Sequence, residues 1–165
     1  MQPGEALGIA AQVAVTLAGF AGIVVVFRPE SVHEWSALDR FRLHLLLANS
    51  AFPLVSSLFG ILLLMIDPAP VTIWRWCSGF ALLIQVPFIL STSAKGRRVP
   101  SADQARVNKP LYYSIALLGT AALVLQVINV VAWNRFWPFF FLIFVSLGAA
   151  VALFVRFVIL PPHTE

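Results

Sequence analysis

Five uninterrupted apolar stretches, each about the length a helix needs to cross a bilayer, leave this chain few choices of fold. Spanning the hydrocarbon takes roughly 20 apolar residues, and the sequence supplies them at about 6–27, 43–66, 71–92, 111–133 and 136–160. Backbone amides and carbonyls find no water in lipid, so each stretch must satisfy its own, as a helix does. The expectation is an all-α integral membrane protein with five transmembrane helices in a single domain, 1–165. Composition agrees: at 60% hydrophobic, 11% charged and a mean hydropathy of +0.90, there is too little polar surface to coat a soluble domain.

Only residues 67–70 separate the second and third stretches, and little more than Asn134 and Arg135 separate the last two. Such short turns predict two antiparallel hairpins. Five spans put the termini on opposite sides. Arg28, Arg40, Arg42, Lys95, Arg97, Arg98, Arg106, Lys109 and Arg156 then share one side, against Arg75 and Arg135 on the other. The basic-rich side is cytoplasmic by the positive-inside rule, so the N-terminus is predicted outside and the C-terminus inside. Trp74, Trp76, Trp133 and Trp137 then fall at the outer interface, where indoles settle.

The first stretch is rich in small residues. Ala10, Ala14, Ala18 and Gly22 form an i, i+4 ridge, a seam where helix backbones can approach closely. A second stripe of Gly8, Gln12, Thr16 and Gly19 is polar and small, and the arc of Ile9, Val13, Leu17, Phe20, Val24 and Phe27 resembles a lipid face. Two faces unsuited to lipid predict a first helix at the centre of the bundle. The fifth, opening with FWPFFFLIF, is expected to face lipid in its outer half.

Polar residues inside the spans fall into two layers. Gln12, Thr16, Gln126 and Asn129 lie in the outer half; together with Gly19 they make a candidate pore or hydrogen-bonded seam. His44, Asn49 and Gln85 form an inner layer. Mutual satisfaction between helices is favoured over a polar path, because no ionisable group joins the outer layer. Coupled transporters and proton pumps usually need such a group near the bilayer centre.

Two loops carry more information. Ser31 and Glu34 make an S-x-x-E capping box, followed by Val32, Trp35, Leu38 and Phe41 at every third residue, which predicts an interfacial helix at about 31–42. The loop at about 93–110 sets Lys95, Arg97, Arg98, Arg106 and Lys109 against Asp103 alone. These are candidate contacts for anionic lipid, although fixing the topology is reason enough for their charge.

Catalytic signatures are missing. HEWSA has Ala37 where a zinc motif needs its second histidine, and no G-x-S-x-G or Walker A run occurs. One cysteine, Cys77, cannot form an intramolecular disulfide or a cysteine-rich metal site. No metal, no cofactor and no nucleic acid is expected.

Residues Leu17 to Arg42, with LAGFAGIVVVF followed by Trp35 and LDRFRL, resemble a group of small uncharacterised five-helix inner-membrane proteins of bacteria. The resemblance implies a multi-pass location in the bacterial inner membrane and no activity. Three functions are carried forward. The first is a non-enzymatic protein acting through helix packing, as a homo-oligomer or a subunit of a membrane assembly. The second is a small channel or facilitator lined by the first helix, and the third a membrane-embedded enzyme acting on lipid with residues of the inner loops.

Overall fold

The computed structural model describes residues 1–27, 35–66, 71–96 and 109–159, and no strand occurs among them. The helices are α1 (Pro3–Phe27), α2 (Ala37–Leu64), α3 (Ile73–Gly96), α4 (Lys109–Ile128) and α5 (Phe136–Ile159); α4 runs on into a π-helical turn over Asn129–Trp133. All five are long and apolar enough to cross a membrane. Helices α2 and α3 pack on each other, as do α4 and α5.

Of the predicted interfacial helix, residues 31–34 lie outside the described residues, and with them the Ser31 and Glu34 box. Residues 37–42 are not a separate helix: they form the first turns of α2. The cap is Ser36, whose Oγ accepts the Asp39 amide at 3.1 Å, with the Asp39 carboxylate in the positive first turn.

The centre of the bundle is α5, not α1. Helix α5 packs against each of the other four, whereas α1 packs chiefly on α2 and α5. In their most apolar eighteen-residue windows 39% of α5 is buried, against 24% of α1. Phe139, Leu142 and Ile143, expected in lipid, lie in the main core with Leu7, Ala10, Ile73, Cys77, Ala81 and Ala122. The reason is that hydrocarbon and leucine are equally apolar, so greasiness does not draw a side chain to the lipid; fit against a neighbouring helix decides.

The seam of α1 is also rotated from the expected one. Each i, i+4 step advances 40° around a 3.6-residue helix, so a ridge from Ala10 to Gly22 leaves any straight contact. Five of the buried residues, Leu7, Ala10, Ala14, Leu17 and Ala21, are spaced alternately by three and four, which holds one face toward a neighbour, and Ala6 and Ala11 are buried beside them. Leu17 therefore belongs to the packed face, Ala18 is half-buried and Gly22 is exposed. Helix α2 answers with Leu46, Ser50, Pro53, Ser57 and Gly60 in the same alternation. The two seams run antiparallel: Leu17 and Ala21 share a small core with Leu46 and Ala150, while Leu7 lies over Gly60. A Cβ at Gly60 would stand 2.8 Å from Leu7 Cδ1 and 3.4 Å from Phe139 Cε1, so three helices converge on this glycine.

Candidate functional site

The polar side chains sort into an interhelical clamp around Asn129 and Asn134 and an exposed stripe on α1. The clamp is made by two asparagines at the α4–α5 turn. Where α4 loosens into its π turn, Asn129 is completely buried; its Nδ2 donates to Ser78 Oγ at 2.8 Å and to the Arg135 carbonyl at 3.0 Å, with the Trp74 carbonyl at 3.4 Å. Its Oδ1 accepts the Arg135 amide at 2.8 Å. Asn134 closes the turn at φ 50°, a left-handed conformation that asparagine tolerates better than most residues, and its amide donates to the Asn129 carbonyl at 3.1 Å.

The Asn134 side chain then reaches across to the start of α3. Oδ1 accepts the Arg75 amide at 3.2 Å, and Nδ2 donates to the Val71 carbonyl at 2.8 Å. This residue acts as a cap for a helix more than fifty positions earlier in sequence, sharing the Arg75 amide with the Thr72 carbonyl at 3.0 Å. The two asparagines thus fasten one hairpin to the other.

Gln126, one turn before Asn129, is buried and donates to the Pro138 carbonyl at 2.7 Å, while its Oε1 has no partner. Gln126 and Asn129 therefore join α3, α4 and α5. Gln12, Thr16 and Gly19 do not meet them: all three are exposed on the outer surface of α1. Thr16 satisfies its hydroxyl locally by donating to the Gln12 carbonyl at 2.8 Å. The Gln12 amide makes no hydrogen bond among the described residues. Nothing stands within 4 Å of a Cβ built on Gly8, Gly19 or Gly22.

The inner layer is likewise divided. Buried Gln85 donates to Ser146 Oγ at 3.3 Å, bridging α3 and α5. Asn49 donates to the carbonyl of Leu45 on its own helix at 2.8 Å, and exposed His44 lies with its ring 5.6 Å from that of Phe88. No hydrogen bond links the three. Of the basic loop, Lys95 is near the end of α3 and Lys109 begins α4, while Arg97, Arg98 and Arg106 lie outside the described residues.

The serines of α2 and the turn asparagine Asn134 were not among the candidates. Two signals mark them: the three-and-four alternation of Leu46, Ser50, Pro53, Ser57 and Gly60, and an asparagine between two apolar helices. Among the described residues no group of three His, Cys, Asp or Glu side chains could hold a metal ion. No protein-family model, no curated protein and no solved structure matches the chain.

Proposed function

We propose that the protein is a non-enzymatic multi-pass protein of the bacterial inner membrane that acts through helix packing, and that the open stripe of α1 joins two copies of the chain. The observation that carries this reading is Gln12, a primary amide without a partner on an apolar exposed face, between glycines that would let another backbone come close. In hydrocarbon an amide gains about 1–2 kcal/mol in model helices by pairing with another polar group. A two-fold axis through Gly8, Gln12 and Gly19 lets each Gln12 serve as both donor and acceptor to its copy, which is how a closed dimer satisfies a self-complementary patch.

Light scattering of the purified protein in mild detergent tests this. The expected result is a dimer or small closed oligomer, with Gln12→Leu weakening association about tenfold or more. Thr16→Val is expected to change little, because its hydroxyl is already satisfied. A monomeric wild type, or a Gln12→Leu variant of unchanged mass, would reject the reading.

The orientation belongs to the same proposal: nine of the eleven basic residues mark the cytoplasmic side, placing the N-terminus and the asparagine clamp outside. A reporter fused after Glu165 should remain cytoplasmic and one fused before Met1 should be exported; activity of both on one side would contradict it. The channel remains the second reading, since Gln12 and Thr16 around a shared axis could also face water.

A further inference from the structure

At the clamp end of the bundle two arginines are held close in backbone, with no ion-pair partner among the described residues. Asn134 Oδ1 binds the Arg75 amide, and the next residue, Arg135, has its own amide and carbonyl bound by Asn129. Neither guanidinium has a hydrogen-bonded or ion-paired partner among the described residues, and Arg75 Nε is buried with none. Glu5, the acid described at this end, accepts the Gln2 amide at 3.0 Å. The contrast with the opposite end is direct, where Arg42 pairs with Asp39 at 3.4 Å.

The position of each arginine favours an anion beside it. Arg75 sits in the first turn of α3 and Arg135 immediately precedes α5, and neither helix has an acid in its first turn. A cation there meets the positive end of a helix dipole and is disfavoured unless an anion sits between them. Four tryptophans surround the pair in sequence. Trp76, Trp133 and Trp137 are 63%, 42% and 49% exposed, with the Trp133 and Trp137 rings 5.4 Å apart. An exposed indole cluster at the end of apolar helices marks head-group depth in a bilayer.

We propose that Arg75 and Arg135 bind the phosphate group of an anionic glycerophospholipid, with the exposed tryptophans against its glycerol and upper acyl carbons. The inference rests on the membrane reading but not on the dimer. A guanidinium presents a planar fork of donors that matches phosphate oxygens, and two of them neutralise a charge that a zwitterionic lipid already balances with its own ammonium. The site differs from the basic residues Lys95 and Lys109, which stand at the end of α3 and the start of α4.

Thermal unfolding of the full chain in neutral-detergent micelles, titrated with phosphatidylglycerol, phosphatidylcholine or inorganic phosphate, tests the site. Phosphatidylglycerol is expected to raise the midpoint of the wild type, and phosphatidylcholine and inorganic phosphate at equal concentration are expected not to. The double variant Arg75→Gln with Arg135→Gln should need about thirtyfold more phosphatidylglycerol for the same rise. A variant with Lys95, Arg97 and Arg98 changed to glutamine should respond like the wild type. The double lysine variant, which keeps both charges, should retain preference for phosphatidylglycerol over phosphatidylcholine and so separates binding from folding. An unchanged response of the double glutamine variant, an equal response to inorganic phosphate, or loss of the response in the Lys95, Arg97 and Arg98 variant would overturn the assignment.

Discussion

Replacing Gly60 by leucine is expected to lower stability by about 3 kcal/mol or more, or to prevent recovery of folded protein. A first added carbon would stand 2.8 Å from Leu7 Cδ1 and 3.4 Å from Phe139 Cε1, and both of those side chains are fully buried. Neither can swing away without opening the core that Leu7, Cys77 and Phe139 share. Overpacking typically costs about 1–3 kcal/mol, and here four carbons enter a site too tight for one. Gly119 is the control. Nothing lies within 4 Å of its Cβ position, so Gly119→Ala should be neutral or stabilising by up to about 1 kcal/mol, the usual helix preference for alanine. Unfolding midpoints of the two variants in one detergent system check the contrast, and equal tolerance would mean that α1, α2 and α5 do not converge at Gly60.

The second large effect is expected at Asn129. Truncation to alanine removes the acceptor of the part-buried Arg135 amide and the donor to Ser78, and both Asn129 and Ser78 are fully buried. Leaving a buried donor unpaired costs about 1–3 kcal/mol, and the interhelical bond adds to that, so Asn129→Ala should lose about 2–4 kcal/mol. Gln126→Met is expected to behave differently, although Gln126 is equally buried. Its Oε1 is already unpaired, and exchanging a half-satisfied amide for an apolar group of similar shape can be close to neutral. If Gln126→Met destabilises as much as Asn129→Ala, the clamp is not where the two hairpins are fastened.

The five spanning helices and the α4–α5 turn were legible because spans are written in length and hydropathy, and a two-residue gap at Asn134 and Arg135 allows only a turn. The centre of the bundle was not, for a physical reason. In water an apolar stripe points inward, but in lipid the Phe139 face of α5 and the Val13 face of α1 look alike, and only the neighbours distinguish them. The rotation of the α1 seam was legible in principle. Leu7, Ala10, Ala14, Leu17 and Ala21 follow the three-and-four alternation that two long helices can share, whereas the i, i+4 ridge to Gly22 cannot stay on one side. The polar residues divided in a way that sequence spacing could not supply. Asn129 and Gln126 lie one turn apart and point inward together, whereas Gln12 sits on a helix whose polar stripe is turned outward. Asn134 was missed because its partners, Val71 and Arg75, lie across the bundle.

A cysteine scan along α1, in a Cys77→Ala background that removes the only native thiol, tests the central claim most directly: this helix packs inward through one face and joins a second copy through the other. Single cysteines at Gln12, Thr16 and Gly19 should form dimers under mild oxidation in native membranes, and cysteines at Ala10, Ala14 and Ala21 should not, because those positions are buried within their own chain. A hydrophilic thiol reagent should label Gln12 and Thr16 cysteines poorly if they lie in a seam. Dimers absent at Gln12 and Thr16, or equally abundant on both faces, would contradict the claim, and strong labelling at Gln12 and Thr16 would replace the packed seam with a water-filled path.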